Sequence, residues 1–189
     1  MDESLKKLYD LGYTTDLKKF VVSNNLNDHE IGRVVKESKK FYCIKTNKGD
    51  YNGYISGKFR YDIKKQSSYP AVGDWVLIKY IEESKVQIIE ILPRRTIIER
   101  QSIGKFGKKQ TIATNVDVAF IMQDIAYDFN LNRLDRLLAI CFTSKIHPQI
   151  IFTKIDLLKK IKLEDKIREV NKRFKKISVT AISNKNMIG

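Results

Sequence analysis

The sequence predicts a β plus α/β chain, a small five-stranded barrel followed by a parallel α/β unit, and three observations carry that expectation. From Glu30 to Leu92, short apolar and polar alternations recur between turn residues, the period-two signature of half-buried strands. From Val116 onward, apolar runs alternate with helical patterns, the order that yields parallel strands joined by right-handed crossovers. Between them, positions 94–115 are polar and basic, as a connection would be.

Taken in order, positions 1–29 read as a helical lead-in. Leu5, Leu8, Leu11 and Leu17 are partly helical in spacing, and the pattern breaks near Gly12-Tyr13, so a short helix followed by an irregular segment is expected. The barrel occupies positions 30–93, with strands at Ile31 to Val35, Phe41 to Lys45, Gly53 to Ser56, Trp75 to Tyr80 and Val86 to Ile91. Asn47-Lys48-Gly49-Asp50 supplies a hairpin turn. Five strands in so short a span fit an OB-fold, a barrel that commonly binds oligonucleotides on one strand face and its loops. Lys58, Arg60 and Lys64 alternate with Phe59, Tyr61 and Ile63, which points cations and rings to opposite sides of an extended segment. The cations could contact phosphate, or simply form a solvated face above a packed apolar one. Trp75, after the turn Tyr69-Pro70-Ala71-Val72-Gly73-Asp74, reads as a core anchor.

Arg94, Arg95, Arg100, Lys105, Lys108 and Lys109 crowd the connection, which also holds Gly104 and Gly107. It reads as a mobile basic loop, and it would place cations beside the barrel where RNA phosphates could release counterions. The α/β unit, positions 116–189, has a buried strand at Val118 to Met122, a helix at Asn132 to Thr143, a strand at Gln149 to Phe152, a basic helix at Leu163 to Phe174 and a strand at Ile177 to Ala181.

With 42% hydrophobic residues in 189, packed cores are expected rather than disorder. The 36 Lys+Arg against 22 Asp+Glu leave +14, which favours polyanionic partners, although abundant Lys, Asn and Ile is also what an A/T-rich genome produces. Cys43 and Cys141 lie far apart in apolar stretches and read as free thiols in a reducing cytoplasm. His29 and His147 are isolated, no Cys/His cluster has zinc-site spacing, and no metal is expected in the chain. No apolar run approaches the roughly 20 residues that span a bilayer, so no membrane partner is expected and a soluble, cytoplasmic protein is.

The most specific chemistry sits at Thr153-Lys154-Ile155-Asp156, at the carboxyl end of a buried strand, where open α/β sheets bind ligands. One carboxylate there can accept from both the ring N–H and the exocyclic amine of guanine, a donor pair adenine lacks. Lys154 would lay its methylene stem along the base, and Thr153 would tie the loop to its neighbours. The competing reading is that Asp156 caps a helix beginning at Leu157.

Several further segments, with that motif, resemble one family: Gly32-Arg33-Val34-Val35, Ser56-Gly57-Lys58-Phe59-Arg60-Tyr61, Tyr69-Pro70-Ala71-Val72-Gly73-Asp74-Trp75-Val76, Leu92-Pro93-Arg94-Arg95, Ala113-Thr114-Asn115-Val116-Asp117 and Asp128-Phe129-Asn130-Leu131-Asn132-Arg133-Leu134-Asp135-Arg136. They resemble the RsgA (YjeQ) family of circularly permuted, ribosome-dependent GTPases. The resemblance implies an OB-fold followed by the first half of a circularly permuted P-loop GTPase domain, in which base-recognition motifs precede the P-loop and switches. It implies GTP hydrolysis with Mg²⁺ in late maturation of the small ribosomal subunit, rRNA binding by the barrel, and a zinc-binding domain further on. Thr180-Ala181-Ile182 would be the second base-recognition motif, with a backbone N–H near Ala181 meeting the guanine carbonyl oxygen. The following Ser183-Asn184-Lys185-Asn186 departs from the usual glycine-containing turn.

No G-x-x-x-x-G-K-[S/T] occurs: Gly57-Lys58, Gly104-Lys105 and Gly107-Lys108 are followed by Phe59, Phe106 and Lys109. The expectation is therefore a chain that binds rRNA and, weakly, GTP or GDP, and that does not hydrolyse GTP alone. A non-catalytic RNA-binding module is the alternative. Self-association through an incomplete sheet is a third expectation.

Overall fold

The computed structural model describes residues 3–57, 59, 69–101 and 109–189, and the chain divides into two compact units, Met1–Asn115 and Val116–Gly189. In the first, α1 (Glu3–Asp10) and α2 (Thr15–Ser23) precede β1 (Glu30–Glu37), β2 (Tyr42–Lys45), β3 (Asp50–Ile55), β4 (Trp75–Glu82) and β5 (Lys85–Ile91). These strands close in the order β1-β2-β3-β5-β4, with β3 and β5 parallel and every other neighbouring pair antiparallel. That is the OB-type barrel the alternation predicts.

Its interior is Val34, Ile44, Val76, Ile78, Val86 and Ile88, each at most 1% exposed. A Cβ on Gly53 would lie 2.2 Å from Ile44 Cδ1, so the glycine is what lets Ile44 fill the barrel. A second cluster joins Leu8, Tyr13, Leu17 and Val21 of the lead-in to Trp75, Leu77 and Leu92. Here the structure adds a helix the sequence reading left irregular. Gly12, at φ +89, ends the first turn of chain, and Thr14 then caps α2 by accepting from the Leu17 N–H at 3.3 Å. Leu17, Phe20 and Val21 then fall on one helical face against the barrel.

The connection is likewise more structured than a basic loop. Ile97–Gln101 (β6) and Lys109–Thr114 (β7) pair antiparallel and belong to the first unit. The reason is its β-branched content: Thr96, Thr111 and Thr114 are buried, while Arg100 and Lys109, the residues that suggested a loop, face solvent. The pair is anchored at Gly73, whose φ of +97 admits the Thr114 carbonyl so closely that an added Cβ would sit 2.0 Å from it. Thr114 and Asn115 fix the approach with the bonds Thr114 N–H to Val72 O (2.9 Å) and Asn115 Nδ2 to Gly73 O (3.0 Å).

The second unit has β8 (Val118–Asp124), α3 (Leu131–Thr143), β9 (His147–Thr153), α4 (Lys160–Arg173) and β10 (Ser178–Ala181). The strands are parallel in the order β10-β9-β8. Ile121, Ile150 and Phe152 are buried on one face, and the helices contribute Leu134, Leu138, Cys141 and Val170 to the core. On the alternate positions of β8, Val118, Phe120 and Met122 are 43%, 62% and 61% exposed, so the opposite face of this edge strand is bare. Cys43 and Cys141 are free thiols, and burial pushes the Cys141 thiol up. No helix among the described residues is long and apolar enough to cross a membrane.

Candidate guanine-recognition site

The parallel register places Phe152 beside Ala181 and Thr153 beside Asp124, so three strand ends open at one edge of the second unit. Burial of Ile150 and Phe152 fixes β9, and the chain then leaves the sheet through Lys154 in the left-handed conformation (φ 58, ψ 37). Ile155–Leu157 forms one 3-10 turn, while α4 begins only at Lys160. Asp156 therefore caps no α-helix; its carboxylate turns toward the neighbouring loop instead. Asp156 Oδ1 accepts from Ser183 Oγ at 2.6 Å, and Ser183 Oγ in turn accepts from the Asn186 N–H at 3.2 Å. Reciprocal backbone bonds between Ser183 and Ile188 close that loop without a glycine.

A carboxylate offers about four lone-pair directions, so one bond from Ser183 leaves Asp156 able to accept two more from a base edge. The second motif is positioned by the same ladder. Ile182 donates its N–H to Phe152 O at 2.8 Å, and strand alternation then turns the Ala181 N–H the other way, off the open edge of β10. Thr180 Oγ1 accepts from Gln149 Nε2 at 3.1 Å, a bond within the sheet. Thr153 Oγ1 reaches Gln123 O at 3.5 Å, and Ile155 N–H reaches Ile182 O at 3.4 Å, tying both loops to their strands.

Asp124, unremarked in the sequence, organises the lysine. Its Oδ2 lies 2.8 Å from Lys154 Nζ, and its Oδ1 accepts from the Ala126 and Tyr127 N–H groups at 2.8 and 3.1 Å. The hydrogen bond from Lys154, followed by that from Tyr127, holds the Asp124 carboxyl below its ordinary value, and the same bond raises the Lys154 ammonium. The signal for Asp124 was its place at the carboxyl end of a strand beside the motif. Among the described residues no cluster of three or more His, Cys, Asp or Glu is placed to hold a metal ion.

The basic candidates separate. Lys58, Arg60, Lys64, Lys105 and Lys108 lie outside the described residues. Arg100 and Lys109 are exposed on β6 and β7, with Lys109 3.4 Å from Glu99, and Arg95 is exposed with its N–H donated to Asn115 Oδ1. Arg94 points inward. Its Nε and Nη2 donate to Asp74 Oδ1 and Oδ2 at 2.8 and 2.7 Å, and Nη2 also reaches Tyr69 O. The arginine is 12% exposed and the aspartate fully buried, which gives Arg94 a structural task.

Two solved structures are similar to this chain in fold. One described as YloQ, a circularly permuted GTPase, aligns with TM-score 0.61 at 24% identity over 83% of this chain and 52% of its own. YjeQ from Thermotoga maritima aligns with TM-score 0.66 at 19% identity over 85% and 54%. An OB barrel followed by the first half of a P-loop GTPase sheet is the architecture of a circularly permuted GTPase. In sequence, the model of the RsgA GTPase family matches residues 91–188. The small ribosomal subunit biogenesis GTPase RsgA 2 of Lactiplantibacillus plantarum is 34% identical over 131 residues, covering 69% of this chain and 37% of the relative. RsgA 1 of Bacteroides thetaiotaomicron is 29% identical over 164 residues, covering 86% and 46%. The chain belongs to the RsgA GTPase family, and spans roughly a third to a half of the length of the curated relatives it matches.

Proposed function

We propose that this chain supplies guanine recognition and rRNA binding to a cytoplasmic GTPase of small-subunit maturation. The observation that carries the reading is the pairing of Asp156 with Ser183, which brings the Thr153-Lys154-Ile155-Asp156 loop against the Thr180-Ala181-Ile182 strand end. In that arrangement Asp156 accepts the two donors on guanine, the Ala181 N–H meets its carbonyl oxygen, and the Lys154 stem lies along the ring. Adenine would present a donor where the Ala181 N–H also donates.

Phosphoryl transfer needs amides and a lysine around the β- and γ-phosphates, and a hydroxyl on Mg²⁺. Those belong to the G-x-x-x-x-G-K-[S/T] motif, which this sequence does not contain. The chain alone therefore binds guanine weakly and releases no phosphate from GTP. Amide chemical-shift mapping with guanosine, inosine and adenosine tests the site. Shifts should centre on Asp156, Ala181 and Ile182 and fall in that nucleoside order, because inosine lacks the exocyclic amine. Equal response to adenosine would refute the assignment, and phosphate release by pure chain would refute the inactivity.

The net charge of +14 and the exposed Arg95, Arg100 and Lys109 support rRNA binding. Co-sedimentation with small subunits should fall steeply with salt; no binding at low salt would refute it. The bare face of Val118, Phe120 and Met122 favours association with another polypeptide surface, this chain included. A concentration-independent monomer in analytical ultracentrifugation would exclude self-association.

A further inference from the structure

The Thr153-Lys154-Ile155-Asp156 loop sends two charged side chains in opposite directions from β9, the middle strand of its sheet. Asp156 turns toward the loop after β10, where it accepts from Ser183 Oγ, and Lys154 turns toward the end of β8, where its Nζ lies 2.8 Å from Asp124 Oδ2. The lysine is 60% exposed, so as an ion pair this contact adds little to stability. What it does set is the direction of a long, flexible stem. Lys154 leaves the strand at φ 58, a left-handed conformation that a side chain other than glycine keeps only where its surroundings hold it.

The carboxylate that receives the ammonium is built in. Asp124 is the last residue of β8 and stands opposite Thr153, with its side chain 16% exposed. Its Oδ1 accepts from the Ala126 and Tyr127 N–H groups, an Asx turn that leaves Oδ2 for the lysine. The segment that follows is tied down on two sides. Ile125, fully buried, donates its N–H to Thr153 O at 3.3 Å and accepts from Lys166 Nζ of α4 at 2.6 Å. Phe129 packs edge-on to Phe152, with ring centroids 5.9 Å apart, and lies under the Lys166 ammonium at 4.8 Å. The ammonium of Lys154 is thus held by a group that has no freedom to follow it.

We propose that Asp124 is a positioning residue for base recognition: by holding the Lys154 ammonium at the end of β8, it keeps the methylene stem extended as a preformed apolar shelf for the guanine ring. The proposal rests on the guanine-recognition reading of this loop and fails separately from it. Asp156 and the Ala181 N–H read the edge of the base, whereas the stem meets its face, and a stem already ordered costs the complex no rotamer freedom. Asp124 touches no part of the base and acts through the lysine. Its contribution is therefore the same for any purine that enters, and selectivity stays with Asp156 and Ala181.

The experiment is a double-mutant cycle on the full chain, with guanosine, inosine and adenosine titrated by amide chemical shift. Asp124→Asn keeps an oxygen for the Ala126 and Tyr127 N–H groups and presents an amide to the lysine, so the turn survives and the tether does not. It should weaken guanosine and inosine by the same factor, about fivefold, the order of ordering one rotamer-rich side chain. Lys154→Met keeps an apolar stem without the ammonium, and in that background Asp124→Asn should change affinity by less than about twofold. Methylene carbon relaxation, read without ligand, should show the Lys154 stem ordered in the wild type and mobile in Asp124→Asn. Equal mobility in the two would overturn the positioning role whatever the binding. So would a guanosine-selective wild type that Asp124→Asn leaves unchanged, or a loss of affinity that is the same in both backgrounds, which would assign Asp124 to the turn alone. A wild type that does not prefer guanosine to adenosine would remove the base-recognition reading, and the role of Asp124 with it.

Discussion

Replacing Arg94 by alanine separates a structural arginine from an RNA-binding one. The substitution removes both arms of the guanidinium from Asp74, which is fully buried, and breaks the bond to Tyr69 O. Breaking a buried ion pair from one side costs about 3–5 kcal/mol, because a charge is left without its partner. Asp74 keeps two donors, the Ala71 N–H at 2.8 Å and Thr114 Oγ1 at 2.7 Å, so the lower end applies, about 3 kcal/mol. The only tryptophan, Trp75, is 1% exposed and adjoins Asp74, so its fluorescence reports this unit alone. With a urea slope of about 2 kcal/mol/M, the midpoint should fall by about 1.5 M. Arg95→Ala and Arg100→Ala should leave it within about 0.3 M, as exposed substitutions within about 0.5 kcal/mol do. An Arg94→Ala midpoint within 0.5 M of wild type, a threshold about a third of the shift expected from the buried pair, would refute the reasoning and return Arg94 to the RNA-contact candidates.

The Asp124–Lys154 pair has a defined pH window. The depressed Asp124 carboxyl contributes above its ordinary value of 3.8 and loses that contribution as pH falls through its lower folded value. The raised Lys154 ammonium contributes below 10.5 and loses it as pH rises through its higher folded value. Carboxyl NMR should place the Asp124 midpoint below 3.8 and move it up in Lys154→Met; an unmoved midpoint would show that the pair is not formed. Tyr13, 4% exposed against the Trp75 ring, has its hydroxyl pushed up to about 12, first by burial and then by Tyr9. Its folded form holds the proton longer than the unfolded chain, so the barrel unit should lose stability from pH 10 upward to about 12, and Tyr13→Phe should flatten that loss. In the second unit, Phe120→Ser should change stability by no more than about 0.5 kcal/mol, while Phe152→Ala should cost about 3–5. Thermal melts that ranked the two substitutions equally would mean the bare face is covered.

How much of this was legible followed from which forces leave a periodic trace. The barrel strands were visible because Val34, Ile44, Val76, Ile78, Val86 and Ile88 alternate with polar neighbours, and closure needs nothing further from the pattern. Asp156 was visible because a short motif sat at a strand end. Its partner Ser183, 27 positions away, was not, since a side-chain bond between loops has no period. The same holds for Arg94, whose match to Asp74 spans 20 positions and which composition alone made a surface cation. Strands β6 and β7 were read as a loop because the buried positions of β7, Thr111 and Thr114, are polar in sequence, although Thr114 Oγ1 finds Asp74 Oδ1 at 2.7 Å in place. The second lead-in helix was missed because Gly12-Tyr13 reads as an end, whereas Thr14 restarts the helix one residue on.

Gly73, Asp74 and Trp75 are three successive codons held for three unrelated reasons: no room for a Cβ, a charge owed to Arg94, and a volume that closes the end of the barrel. Such a run has no neutral neighbours in sequence space. Drift at Asp74 would have to be matched at Arg94 before either change could be tolerated, and Gly73 has no compensating partner because the obstacle is the Thr114 backbone itself. The tripeptide should therefore behave as a single inherited unit, and in a pooled library of single substitutions it should be the longest stretch of the barrel unit without survivors.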